Sequence, residues 1–185
     1  MESVETRGPS IPMILGIVGG LLLGIGSFLN WATASVNWDA IETATGIDPP
    51  AAIRAQATVS LTGWDIGQGM WMLVIGVVVV FAATLLAFVS STQAVAFVMI
   101  FGGAVGGSMA LYQATVGKNQ RLDDVAGVFA VALPGSLRGY FSVSIGIGIW
   151  SCVLGGGVAV LAGIMAMVRR PPSVSATTDP VSGSS

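Results

Sequence analysis

The sequence predicts an all-α transmembrane protein: a four-helix membrane bundle carrying a small mixed ectodomain built from two long loops on one face. Three observations predict it. Of 185 residues, 54% are hydrophobic and only 9% are charged, against roughly 25% charged in an ordinary soluble domain, so water alone is a poor solvent for the chain. Four segments are free of Asp, Glu, Lys and Arg over about the 20 residues that a helix needs to cross roughly 30 Å of hydrocarbon. The connections between these segments alternate long, short, long, which brings both long ones out on the same side.

The elements follow in chain order. Residues 1–10 read as a cytoplasmic N-terminal segment, and residues 11–29 as the first span of a membrane domain covering 11–168. Ala32-Thr33-Ala34 has the small-x-small form of a signal-peptide cleavage site. The apolar run ahead of it, however, exceeds the usual h-region of roughly 7 to 15 residues, and Glu2 and Glu5 offset Arg7 before it, so the segment reads as a retained span. In the loop 30–69, Trp31 to Trp38 and Ala57 to Trp64 alternate with period two and are expected to pair as an antiparallel hairpin. Between them, Asp48-Pro49-Pro50 followed by Ala51 to Ala55 has the form of a cap and first turn of a short helix.

The second span, 70–88, and the third, 94–112, are joined by a short turn. The valine run Val77 to Val80 would suit a buried strand in water, but lipid-exposed backbone must satisfy its own hydrogen bonds, which favours a helix. In the loop 113–142, Val125 to Leu133 follows Asp123 and Asp124 and precedes Pro134-Gly135, the boundaries of a short helix with acid near its positive end. The fourth span is expected at 143–168. Ser142 to Ile149 also alternates with period two, so a strand leading into a helix that begins nearer Trp150 competes with it. Residues 169–185 form a Ser/Thr-rich tail with too little apolar surface to fold.

Two patterns single out residues within this frame. Gly16, Gly20 and Gly24 recur every fourth position, and Gly102, Gly103, Gly106 and Gly107 form overlapping small-xxx-small pairs. Such stripes let helix backbones approach closely, so helix packing is their expected role. Gly155-Gly156-Gly157 interrupts the fourth span and reads as a tight contact or mild kink in preference to an ion site, because no charged side chain accompanies it. Trp31, Trp64, Trp71, Tyr112, Tyr140 and Trp150 all lie toward the long-loop side, as a membrane-interface belt would.

Other features exclude chemistries. A net charge of -2 without a Lys/Arg cluster argues against nucleic acid as a partner. Histidine is absent, which removes the commonest metal ligand and the commonest general base. The single Cys152 forms neither an intramolecular disulfide nor a zinc site of several thiolates. No catalytic residue, cofactor or metal is expected, and the chain reads as no enzyme. Arg7, Arg169 and Arg170 fall on the terminal face. Arg54, Lys118, Arg121 and Arg138 fall on the loop face, interspersed with Asp39, Glu42, Asp48, Asp65, Asp123 and Asp124. Because Arg169 and Arg170 abut the last span, the positive-inside rule puts both termini in the cytoplasm.

A first span ending in Ser27-Phe28-Leu29-Asn30-Trp31, a Gly63-Trp64-Asp65 turn, and Ser144-Ile145-Gly146-Ile147-Gly148-Ile149-Trp150 opening the fourth span together resemble a pattern of small four-span membrane proteins of actinobacteria without an assigned activity. The resemblance covers 11–168, implies a multi-pass protein of a bacterial plasma membrane and transfers no catalytic residue. The function expected is that of a non-enzymatic assembly, scaffold or accessory subunit, acting through helix packing and its ectodomain. Its partners would be the lipid bilayer and other membrane proteins or a second copy. The alternative is a small transport or channel component for an uncharged or lipid-like solute, its path lined by glycine backbone, Gln68, Gln113 and hydroxyls.

Overall fold

A computed structural model describes residues 10–48, 50–55, 58–88, 92–117 and 139–168. Helix α1 (Ile11–Gly26) is followed by strand β1 (Asn30–Val36), helices α2 (Trp38–Thr45) and α3 (Ala51–Arg54), and strand β2 (Thr58–Thr62). Helices α4 (Gly69–Leu85) and α5 (Thr92–Tyr112) come next, α5 continuing into a π-helical turn, Gln113–Gly117. Strand β3 (Phe141–Ile145) and helix α6 (Ile147–Val168) complete the described chain. It is mostly helical with one small antiparallel sheet.

The long helices form a ring in which α6 packs most extensively on α5 and α1, α1 packs on α4, and α4 closes against α5. Leu23, Met72, Val79, Met99, Cys152 and Ala159 are buried between them. Two helical segments, Gln93–Gly117 at 25 residues and Ile147–Val168 at 22, are long and apolar enough to cross a membrane. α1 and α4, at 16 and 17 residues, fall short of the spans expected at 11–29 and 70–88. Each ends where hydrogen bonding tightens. The N–H groups of Ser27, Phe28 and Leu29 donate to the carbonyls three residues back, as do those of Leu86, Ala87 and Phe88, the 3₁₀ pattern common at helix ends.

The two long connections meet in one sheet of order β2-β1-β3. β1 pairs antiparallel with β2, as the period-two alternation indicates, and β3 adds to the other side of β1. Both readings of Ser142 to Ile149 therefore hold in part: 141–145 is strand, and the helix begins at Ile147, four residues later than the expected 143. Trp38 belongs to a helix and not to the strand it was expected to end. Asn37 caps α2 by accepting from the Ala40 N–H at 3.2 Å, and Gly46 ends it at φ 68°, a left-handed conformation that glycine adopts readily. The short helix after Pro50 is α3. Residues 1–9, the helix expected at Val125 to Leu133 and the tail 169–185 lie outside the described residues.

Cross-strand partners give the sheet two unlike faces. Thr33 and Ser35 of β1 stand beside Ser60 and Thr58 of β2 and beside Ser144 and Ser142 of β3. Ala32 and Ala34 stand beside Leu61 and Val59, and beside Ile145 and Val143. Trp31 and Ala32 are consecutive yet both buried, which strict alternation forbids. The register shift between Asn30 and Ala32 resolves this, because a bulge re-aims a side chain.

Candidate functional site

Three helix interfaces are built on reciprocal glycine pairs. A Cβ on Gly76 of α4 would stand 2.6 Å from the carbonyl oxygen of Gly20 in α1, and one on Gly20 would stand 2.7 Å from that of Gly76. Between α1 and α6 the same relation joins Gly19 and Gly155, at 2.8 and 2.7 Å. Between α5 and α6 it joins Gly103 and Gly156, at 2.6 and 2.5 Å. Real side chains do not approach this closely, so each crossing depends on hydrogen in place of a Cβ. Consecutive residues on an α-helix are rotated by about 100°, and so one doublet serves two neighbours. Gly19 faces α6 while Gly20 faces α4; Gly155 faces α1 while Gly156 faces α5.

The other glycines singled out by sequence have varied surroundings. Gly16 meets the Met99 side chain and the Ala83 Cβ; Gly102 meets Val79; Gly106 meets Leu23 and Ile75. Gly107 lies at ordinary contact distance from Gly156, 3.6 Å from its Cα. Gly24 has only Leu73 Cδ1 within reach, at 3.7 Å. The sequence patterns missed Gly19, Gly76, Gly148 and Gly163, whereas Gly155 and Gly156 make the tight contacts expected of their triplet. The doublet Gly19-Gly20 was the signal that would have found the first of the missed ones. α6 runs unbroken through Gly155-Gly156-Gly157, so of the two readings offered for the triplet, a tight contact or a kink, it is the contact that the helix makes, at Gly155 and Gly156. Gly157 has nothing within 4 Å of its Cβ position.

Of the six aromatic residues expected at an interface, Trp64, Trp71, Tyr112 and Trp150 are exposed and Tyr140 is half-buried. Trp31 is a correction. It is 0% exposed, and its indole N–H donates to the Gly26 carbonyl at 2.7 Å. Gly63 and Gly148 flank its ring, and Gly146 N–H donates to its carbonyl at 2.8 Å. It is a plug joining sheet to helices, and the bulge that aims it inward could not be read from composition.

Because α1 and α4 cross on glycines, their outward side is left as an open groove of about 450 Å³. Gly20, Gly24 and Gly76 floor it; Leu21, Ile25, Phe28, Leu73, Val77 and Phe81 wall it. Thr84 is the polar member, and its hydroxyl is spent on the Val80 carbonyl at 2.9 Å. Such a surface can hold an apolar chain or a helix and offers no group for acid–base or nucleophilic chemistry. No family model and no curated protein matches this chain.

Polar groups gather instead around the sheet. Arg54 donates to Asp48 at 2.8 Å and to Glu42, and Asp39 lies at 3.5 Å, so one guanidinium ties α2, α3 and the link between them. These hydrogen bonds, to Glu42 first, raise its pKa further. Among the described residues, no group of three or more His, Cys, Asp or Glu is placed to hold a metal. In the turn before α4, Asp65 accepts from the Thr62 N–H at 2.7 Å and from its hydroxyl at 2.8 Å, and both hold its carboxyl below the ordinary 3.8.

Proposed function

We propose that this chain is a four-span protein of a bacterial plasma membrane that acts as an assembly or accessory subunit, seating a partner's transmembrane helix in the groove between α1 and α4. The observation that carries the reading is that groove: an apolar trough with a glycine-backbone floor, facing outward from the bundle. Without a hydrophobic drive between helices in lipid, close backbone approach over small residues is what favours their association.

Support for four spans comes from the outer surface. Val18, Leu21 and Ile25 on α1, Val74, Val77 and Phe81 on α4, Phe97 and Phe101 on α5, and Leu154 and Leu161 on α6 are all exposed. A helix bundle folded in water turns charged and polar residues outward and rarely shows an apolar patch above a few hundred Å². The 3₁₀ turns after α1 and α4 lengthen their hydrogen-bonded backbone to 11–29 and 69–88, within the roughly 17 to 25 residues that spans use. Arg169 and Arg170 beside the last span favour cytoplasmic termini, with the sheet outside.

The test is photo-crosslinking from Val77 in the groove and from Leu161 on α6. The expected result is a discrete protein adduct from Val77 and lipid adducts alone from Leu161. Gly24→Leu, which fills the groove from a position with space around it, should abolish the protein adduct while leaving the amount of chain in the membrane unchanged. Lipid adducts alone from both positions would sink the reading.

A further inference from the structure

Among the described residues, no strand pairs with the outer edge of β2. Gly146 N–H donates to the Trp31 carbonyl and Asn37 N–H to the Tyr140 carbonyl, each at 2.8 Å. The odd-numbered residues of β1 therefore turn their backbone groups toward β3 and the even-numbered ones toward β2. In the register of this sheet, Ala32 and Ala34 then bond to Leu61 and Val59, which leaves the N–H and C=O of Ser60 and Thr58 pointing away from the sheet. The Thr62 N–H points the same way and is taken by Asp65. Thr58, Val59 and Ser60 are exposed, Val59 by 56%. Natural sheets protect such an edge with Lys, Pro or a bulge, and Thr58–Thr62 carries none.

We propose that this edge is a homodimer seam: β2 of one copy pairs antiparallel with β2 of a second, centred on Ser60. Two features select a second copy over a foreign strand. The first is the order Thr-Val-Ser-Leu-Thr, which alternates hydroxyl and apolar residues identically in both directions. Pairing about Ser60 puts Ser60 opposite Ser60, Val59 opposite Leu61 and Thr58 opposite Thr62, so hydroxyl meets hydroxyl, apolar meets apolar, and the three-stranded sheet becomes one of six strands with both faces continuous. No charge opposes a like charge. The second is symmetry. The apolar face of the sheet lies toward the bundle, where Ile145 packs on the core beside Trp31. Antiparallel neighbours are related by a two-fold axis perpendicular to their sheet, and that axis keeps the same face of both copies toward their bundles. It is the symmetry that two copies inserted alike in one bilayer possess, and this second argument rests on the membrane reading above.

In a hydrogen-bonded antiparallel pair the facing Cα atoms lie about 5.5 Å apart, so Ser60→Cys should be joined between copies by a short bifunctional thiol reagent. Buried Cys152 remains in place. Thr58→Cys is the control for register: it shares the face and exposure of Ser60, but in the proposed pairing the two Thr58 positions stand well out of register. The expected result is a dimer from Ser60→Cys and monomer from Thr58→Cys. Adding Val59→Lys, which sets two like charges diagonally across the seam, should abolish the Ser60→Cys dimer without changing the amount of chain recovered. Equal dimer from both cysteines would mean random collision, and monomer or an adduct of any other mass from Ser60→Cys would mean that no such seam exists. Either result overturns the proposal. Alkaline washing of the same membranes reads the membrane assignment separately, because a chain released by the wash would overturn that assignment whatever the crosslinks show.

Discussion

Trp31 shows at the scale of one residue how a side chain that the sequence assigns to an interface becomes part of the core. Its ring closes the end of the bundle between Gly63 and Gly148, and its N–H is spent on the Gly26 carbonyl. Replacing it with Ala should cost about 3–5 kcal/mol, the usual loss for a large buried aromatic. Trp71→Ala, at a residue 59% exposed, should stay within about 0.5 kcal/mol. Thermal unfolding of both variants in detergent would measure the contrast, and equal losses would contradict the plug. Asp65 offers a pH-dependent counterpart. Because the Thr62 N–H and hydroxyl lower its pKa below 3.8, the stability it adds is present above that value and is lost as pH falls through the lowered folded value. Scanned into acid, wild type and Asp65→Asn should therefore differ in unfolding temperature near neutrality and converge once the pH has fallen below the lowered folded value. A difference that persists there would assign the effect to something other than this carboxylate. Neither role was legible beforehand, since a tryptophan at a span end and an aspartate in a turn have many possible fates.

At the scale of elements, the glycine triplet of α6 contains its own control. A methyl on Gly156 would press on the carbonyl oxygen of Gly103, whereas one on Gly157 meets open space. Gly156→Ala should destabilise by about 1–3 kcal/mol through overpacking, and Gly157→Ala should stabilise by up to about 1 kcal/mol through helix propensity. Opposite signs at adjacent positions are the outcome to look for by thermal unfolding; a shared sign would mean that the two helices part easily. The long apolar helices and the β1–β2 pairing were legible because hydrophobic length and period-two alternation are local signals. Helix α2 was missed because the alternating stretch was carried past the end of β1 at Val36 to Trp38, beyond an Asn37 cap and ahead of a Gly46 stop that together mark a helix. The contacts of Gly19 and Gly76 were missed because a contact belongs to two helices, and a stripe on one of them does not name its partner.

For the whole molecule, α1 runs toward the sheet and α6 away from it, so the described chain starts and stops at the end of the helices opposite the sheet. On the four-span reading, a cysteine at Ala55 should react with an impermeant thiol reagent on intact cells, and one at Ser10 only after permeabilisation. The reverse pattern would invert the orientation, and labelling of both on intact cells would break the four-span topology. Connection lengths make readable from sequence that both long connections leave the same end of the helices. The joining of the two loops was not, because partners such as Ser35 and Ser142, 107 positions apart, leave no mark on a local pattern. That distance also has a consequence in time. The middle strand, β1, leaves the ribosome soon before its first partner, β2, and long before its second, β3. At about 5–20 residues per second, the roughly 80 residues from β2 to β3 take on the order of ten seconds to synthesise. Throughout that interval the Thr33 and Ser35 amides, which face β3, have no strand to bond. A chain ended before Phe141 should exchange both amides freely while the full chain protects them, and equal protection would show that β1 needs no third strand. Helix α6 thus follows directly on the strand that completes the sheet begun after α1, so that sheet is finished only after β3 has been synthesised.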